Sequence, residues 1–349
     1  NKSRLRPVHL RHGLVYNLLF MVATRLNPMD RKAPAGRPSH LKVAAAFAAV
    51  YLIWGSTFLA IRFAIETLPP FLMAGFRFAV AGAVLYGWAR LTGAKRPVRI
   101  HWAAATVIGG LLISAGNGAV VWAEQRVPSG LASLLIATVP IWMVLMDWIW
   151  WSHARPSPWV ATGLGLGLAG MALLVGPEKL SGIHRIDPAG AVVLILGGVA
   201  WAAGSLYSLR APLPESGLLA TAMEMLTGGV LLFLAGLATG EAAVLQLSAV
   251  SARSALSLVY LIVFGSLVGF TAYIWLLNAT TPARASTYAY VNPVVAVTLG
   301  RIWGGEPIST QILLAAAIIV AAVAVITTDR ARKTVAGKGS GDPQGGRLR

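Results

Sequence analysis

Ten apolar windows, each about as long as a bilayer core is thick, follow one another between residues 43 and 328, and this succession limits what the chain can fold into. A hydrocarbon core of about 30 Å is crossed by about 20 helical residues, because a helix rises about 1.5 Å per residue. The windows lie at 43–65, 71–91, 102–122, 129–151, 159–176, 189–209, 218–238, 255–277, 283–303 and 308–328. Each is a continuous apolar run, not the period-two alternation of a membrane barrel strand. The connections are short and many carry proline: Pro69-Pro70, Pro97, Pro128, Pro188, Pro282 and Pro307. Helices joined so tightly are antiparallel neighbours. The expected fold class is an all-α integral membrane protein of ten transmembrane helices.

Charge sets the orientation and excludes other classes. Only 12% of the 349 residues are charged, against about 25% in an average soluble domain. The mean hydropathy is +0.69. A net charge of +17 would suit a nucleic-acid binder, but the basic residues sit in the tails and in one loop, not along a folded face. With both termini cytoplasmic, the inside segments hold Arg90, Lys95, Arg96, Arg99, Arg330, Arg332, Lys333, Lys338, Arg347 and Arg349. The outer connections hold only Arg62, Arg126, Lys179, Arg185, Arg253 and Arg301, as the positive-inside rule requires. Tryptophans near window ends (88, 102, 122, 150, 151, 159, 275, 303) form an interfacial belt. Residues 1–40 are a basic tail whose apolar stretch, Leu14 to Val22, is too short to span. A start at Met29 is preferred to a targeting or surface-lying segment. Residues 329–349 read as a disordered basic cytoplasmic tail.

With no cysteine, disulfides and thiolate sites are excluded. The six histidines show no metal-ligand spacing, so no metal or cofactor is expected. No Walker loop, H-E-x-x-H or G-x-S-x-G motif is present, so the chain reads as neither an ATP-driven pump nor a hydrolase. The expected partners are a small-molecule substrate and the lipid bilayer, with no nucleic acid. The sequence does not define an oligomeric state.

The chain repeats itself. A shift of 153 residues brings Trp122 onto Trp275, Ala132-Ser133 onto Ala285-Ser286, Pro140 onto Pro293 and Ile149-Trp150 onto Ile302-Trp303. A shift of 147 brings Trp54 onto Trp201, Arg77 onto Glu224 and Gly82 onto Gly229. Each half contains five windows, an odd number, so the second half enters the membrane from the opposite side. Such inverted repeats give transporters two related arrangements around a central site.

Polar groups inside the windows cost about 2.5–3.5 kcal/mol each when charged, which makes each a functional candidate. Arg77 and Glu224 each lie roughly 9 Å deep, from opposite faces. They are repeat mates but are not expected to pair, being about 12 Å apart in depth. Both are ion-coupling candidates; a snorkelling or locally hydrogen-bonded structural charge is the alternative. Asp147 reads as interfacial, and Glu66 and Glu124 as solvated helix ends. The run Ser286-Thr287-Tyr288-Ala289-Tyr290-Val291-Asn292-Pro293 points to a cavity lining, since Pro293 frees a carbonyl one turn earlier and freed backbone at membrane depth needs protein or a cavity beside it. Trp54-Gly55-Ser56-Thr57 suits packing or lining equally, while Asn117 and the Gly163–Gly167 run suit helix packing.

Several of these stretches carry a resemblance. Trp54-Gly55-Ser56-Thr57-Phe58, Pro69-Pro70, Phe76-Arg77-Phe78, Val127-Pro128-Ser129-Gly130-Leu131-Ala132-Ser133 and Tyr288-Ala289-Tyr290-Val291-Asn292-Pro293 with Gly304-Gly305-Glu306 resemble EamA-type transporters of the drug/metabolite transporter superfamily. Trp122-Ala123-Glu124-Gln125 and Asp147-Trp148 look most like the YedA-like branch. The resemblance covers about 41–328 and implies two five-helix EamA repeats, at 41–176 and 189–328, in a bacterial inner membrane. It also implies export of amino acids, related metabolites or toxic compounds. Two positions depart from the family pattern: His153, mate of Glu306, where Glu is frequent, and Glu224, where Gln is frequent. The leading expectation is a secondary exporter working by alternating access, not an enzyme. Trp54, Trp201, Tyr288, Tyr290 and Asn292 would bind substrate, and Glu224 would carry a proton. A flippase for a lipid-linked intermediate, with Arg77 at the head group, is the second reading. A membrane-embedded enzyme is the third; it needs clustered catalytic groups, and here they are spread between helices.

Overall fold

A computed structural model describes residues 39–127, 129–175, 187–304, 310, 314–315 and 317–326. The tail expected before residue 39, the tail from 329, Lys179, Arg185 and Glu306 lie outside the described residues. Among the described residues every regular element is helical. The elements are α1 His40–Ala64, α2 Pro70–Leu91, α3 Arg99–Ala123, α4 Ser129–Ile136, α5 Val139–Trp151, α6 Pro158–Val175, α7 Pro188–Ser208, α8 Gly217–Ala238, α9 Glu241–Val244, α10 Ala252–Ala279, α11 Pro282–Ala285, α12 Tyr288–Gly304 and α13 Ala317–Ile326. Six of them, α1, α2, α3, α7, α8 and α10, are long and apolar enough to cross a membrane.

The starts of these helices follow from local chemistry. Pro70, Pro188 and Pro282 occupy first-turn positions, where a missing N–H costs nothing. Asp187, Ser216, Ser251 and Thr281 accept first-turn N–H groups of α7, α8, α10 and α11. The start of α2 is capped from a distance: the Glu241 carboxylate of α9 accepts from the N–H groups of Phe71 (3.1 Å) and Leu72 (2.8 Å).

Two windows are not single helices. The window 129–151 breaks at Ala137 and Thr138, between α4 and α5, and the window 283–303 breaks at Ser286 and Thr287, between α11 and α12. In both breaks a threonine hydroxyl adds a bond to the carbonyl that its own backbone N–H also reaches, Thr138 Oγ1 to Leu135 O (2.7 Å) and Thr287 Oγ1 to Arg284 O (2.8 Å). These bonds lower the cost of interrupting a helix at membrane depth. The break in the second window falls upstream of Ala289, where Pro293 alone would place it.

Helices α2 and α8, which contain the repeat mates Arg77 and Glu224, pack along most of their length. Their contact is backbone on backbone. A Cβ on Gly75 would lie 2.6 Å from Phe233 N, one on Gly82 2.7 Å from Leu226 N, and one on Gly229 2.6 Å from Ala79 N. Small residues at such crossings let helices approach without a hydrophobic driving force. The Gly163–Gly167 run behaves as a packing surface, with Gly163 against Ile326 and Gly167 against the Tyr290 ring. Leu52, Val84, Val107, Val192, Leu196, Leu234 and Val259 point outward and are exposed, the apolar exterior of a lipid-facing bundle.

Candidate substrate-binding site

The interrupted helices surround a cavity. It encloses about 640 Å³ of space not filled by atoms, its open mouth included. Ile136 and Val139, on either side of the first break, face it, as do Tyr288 and Asn292 after the second. Two stretches of π-helical turns reach the same wall. Gly110–Asn117 within α3 supplies Gly116 and Asn117, and Leu261–Phe270 within α10 supplies Gly265 and Phe270. A π-turn widens the helix by one residue and re-aims the side chains that follow. From α1, Trp54, Thr57, Phe58 and Ile61 line one side, and Arg77 and Phe78 of α2 and Trp201 of α7 complete it.

Interlocked rings form part of the wall. Trp54 meets Trp201 edge-to-face (centroids 5.5 Å, 82°) and Tyr288 likewise (4.9 Å, 82°). Tyr273 of α10 contacts Trp54 (5.1 Å), Trp201 (5.5 Å) and Tyr288 (5.4 Å). The polar edges are satisfied internally. Trp54 Nε1 donates to Gly265 O (3.0 Å) and Trp201 Nε1 to the Tyr273 hydroxyl (3.0 Å), which also bonds Ser205 Oγ (2.7 Å). The position of Trp54 requires Gly269, because a Cβ there would lie 2.5 Å from its Nε1. Edge-to-face pairs contribute about 0.5–1.5 kcal/mol each beyond buried area, so the cluster holds its shape without a ligand.

Three polar groups on the wall are incompletely satisfied. Arg77 is 3% exposed. Its Nε donates to Ser266 Oγ (2.8 Å) and its guanidinium lies 4.6 Å from the Phe78 ring centre. Its Nη1 is buried and has no hydrogen-bond partner among the described residues, and the Oδ1 atoms of Asn117 and Asn292 are in the same condition. Among the described residues, no three His, Asp or Glu side chains are grouped to hold a metal ion.

Comparison with known proteins places this architecture. The model of the EamA-like transporter family matches residues 41–176 and 188–328. The uncharacterised inner membrane transporter YedA of Escherichia coli (strain K12) is 42% identical over 281 residues, covering 80% of this chain and 88% of the relative. The chain belongs to the EamA-like transporter family. It is a membrane transporter of the drug/metabolite transporter superfamily. A more distant family relative, the probable amino-acid metabolite efflux pump of Salmonella typhimurium, is 25% identical over 281 residues, covering 78% of this chain and 90% of its own length. A solved crystal structure, 23% identical, superposes with a TM-score of 0.64 over 82% of this chain and 97% of its own, which speaks for the fold alone.

Within this EamA-like bundle the residues expected from sequence separate into two groups. Trp54, Trp201, Tyr288, Asn292 and Arg77 share the cavity wall. Tyr290 does not: its ring packs on Gly167, and its hydroxyl points to Leu164 O of α6 (3.5 Å). Glu224 is fully buried on α8, at the contact with Gly109 of α3, and is not on the wall. Asn117, read as a packing residue, stands on the wall, and Gly55 packs on Val295 while its neighbours Trp54 and Thr57 line the cavity. Glu66 pairs with Arg253 at 3.0 Å, as a solvated end should.

Glu124 differs from the solvated end expected of it. Its carboxylate oxygens are buried without a hydrogen-bond partner among the described residues. Burial pushes its carboxyl well above the usual range, and the positive charge of Arg62 only partly opposes this. His153 lies in the α5–α6 connection with a positive φ of 51°, a conformation His tolerates better than most residues. Ile61, Phe270 and Tyr273 carry no signal in the sequence, and Phe58 and Phe78 carry one only as members of the runs that resemble the family, because an aromatic or branched residue in an apolar window carries no mark of the face it takes.

Proposed function

We propose that this chain is a secondary transporter that exports small metabolites, amino acids or compounds related to them, across the bacterial inner membrane by alternating access. In this reading ten helices form two inverted five-helix repeats, 41–176 and 189–328, with both termini in the cytoplasm. The observation that carries it is the cavity whose wall pairs Trp54 with its repeat mate Trp201. Further support comes from the backbone-close packing of α2 on α8, which occupy equivalent places in the two halves. Broken helices beside the cavity fit as well, since discontinuous helices at a repeat interface build the substrate sites of many transporters. The name of the Salmonella relative, a probable amino-acid metabolite efflux pump, suggests the direction and the substrate class.

The roles follow from position. Trp54, Trp201 and Tyr288 supply aromatic surface and Asn292 a polar contact, while Tyr290 holds α12 on α6. Arg77 contacts substrate directly. Glu224, off the wall but at the α8–α3 contact, is the candidate proton carrier, acting by changing how the halves pack when it gains or loses charge.

The test is efflux from cells preloaded with labelled amino acids and the organic acids derived from them. Faster efflux than in an empty-vector control, lost in a well-inserted Trp54→Ala variant, is expected. Efflux equal to the control across the panel would refute export. A Glu224→Gln variant should transport with a flattened pH dependence; a profile matching the parent removes the proton-carrier role.

A further inference from the structure

We propose that the cavity selects organic monoanions, a carboxylate on an apolar or aromatic body with no ammonium group, and that Arg77 is the residue that selects them. The proposal rests on the transporter reading above and narrows its substrate class.

Charge balance is the first argument. Arg77 brings a full positive charge to the wall, and among the described residues that line the cavity there is no carboxylate. Both described salt bridges lie elsewhere, Lys95 with Glu215 and Arg253 with Glu66. A buried cation without a counter-ion is costly, and a ligand that brings one negative charge removes that cost. A zwitterion brings an ammonium as well, and the wall offers no carboxylate to receive it.

Geometry is the second argument. Ser266 holds Nε, the Phe78 ring lies against the guanidinium, and Nη2 lies so close to α10 that a Cβ on Gly265 would approach it to 2.7 Å. One side of the fork is thereby fixed, and the buried Nη1 is left without a partner. Guanidinium forks bind planar carboxylates with strong, directional hydrogen bonds. The Oδ1 atoms of Asn117 and Asn292 are acceptors open to a donor on the ligand body, such as a hydroxyl or an amide N–H. Phe58, Ile61 and Phe270 supply apolar surface. The obvious seat for an ammonium, an aromatic ring face, is largely occupied, because Trp54, Trp201, Tyr273 and Tyr288 are engaged with one another. The shared chemistry fits an aromatic 2-hydroxy acid or an N-acylated apolar amino acid better than a free amino acid.

The experiment is calorimetric titration of the purified chain in detergent micelles with four probes of one shape: 3-phenyllactate, phenylalanine, phenethylamine and 2-phenylethanol. Phenyllactate is expected to bind about tenfold or more tighter than the other three, as one charge-assisted pair would give. In Arg77→Gln this preference over phenylethanol should vanish while phenylethanol binding stays, and Arg77→Lys should keep part of it. Phenylalanine or phenethylamine binding as tightly as phenyllactate overturns the proposal. So does a preference that survives in Arg77→Gln, or no phenyllactate binding at millimolar concentration. If Arg77→Gln does not fold, the four-probe series on the intact protein still decides. Counterflow in proteoliposomes separates the two readings. Phenyllactate that binds through Arg77 but is not carried keeps the anion site and refutes transport. Carriage of phenylalanine or phenethylamine undiminished by Arg77→Gln keeps transport and refutes the anion site.

Discussion

Replacing Gly229 by alanine should unseat the packing of α2 on α8, and the same change at Gly87 provides the control. Both glycines lie inside helices, so each substitution gains about 0.5–1 kcal/mol from the greater stiffness of alanine in a helix. At Gly87 nothing lies within 4 Å of the added Cβ, so Gly87→Ala should show that gain. At Gly229 the Cβ would lie 2.6 Å from Ala79 N and 3.0 Å from Gly75 O, both backbone atoms. They cannot rotate away, and overpacking of a tight contact costs about 1–3 kcal/mol. The two variants should therefore differ by about 1–3 kcal/mol, with Gly229→Ala the less stable. Equilibrium unfolding by SDS in mixed micelles measures both on one scale. Stabilities within about 0.5 kcal/mol of each other would refute the claim that backbone approach holds these helices together.

Other outcomes follow from individual contacts. Trp54→Ala should lower stability by about 3–5 kcal/mol and abolish efflux at matched insertion, whereas Trp54→Phe, losing chiefly the bond to Gly265 O, should cost about 1 kcal/mol in the same unfolding assay. Glu241→Ala leaves two first-turn N–H groups of α2 without their acceptor and should cost about 1–2 kcal/mol in thermal unfolding. Glu124 holds its proton more tightly folded than unfolded, so its contribution to stability falls as pH rises from the ordinary value of 4.5 toward the raised folded one. Glu124→Gln cannot ionise, so its advantage over the parent should widen as pH rises above the ordinary carboxylate value of 4.5; a gap that stays constant or narrows contradicts the buried placement.

The membrane class was legible because it rests on run length and charge, which a linear sequence displays directly. Trp54, Trp201, Tyr288 and Asn292 drew notice as repeat mates or as polar marks in an apolar field, and Arg77 as a charge at depth. The faces were not legible. A helix that is apolar all round does not announce which side meets lipid, protein or cavity, so Phe58, Phe270 and Tyr273 looked like any other apolar residue. For the same reason Tyr290 and Tyr288, two residues apart, could not be told from one another as packing and lining. The π-helical turns that aim Asn117 and Gly265 have no composition of their own. Pro140 stood out only as the repeat mate of Pro293, which does not give the position of the break at Ala137 and Thr138. Glu124 was misread because proximity to a helix end says nothing of what folds over it.

The central claim, one cavity reached in turn from two sides, is tested most directly by reagent access. The chain has no cysteine, so single cysteines need no altered background. Thr57→Cys lies on the cavity wall, one turn beyond Trp54 on α1. In right-side-out and inside-out vesicles, a membrane-impermeant thiol reagent should modify this one cysteine from the outer face and from the inner face alike. Labelling from a single face only would mean a pocket that opens one way, and alternating access would be wrong.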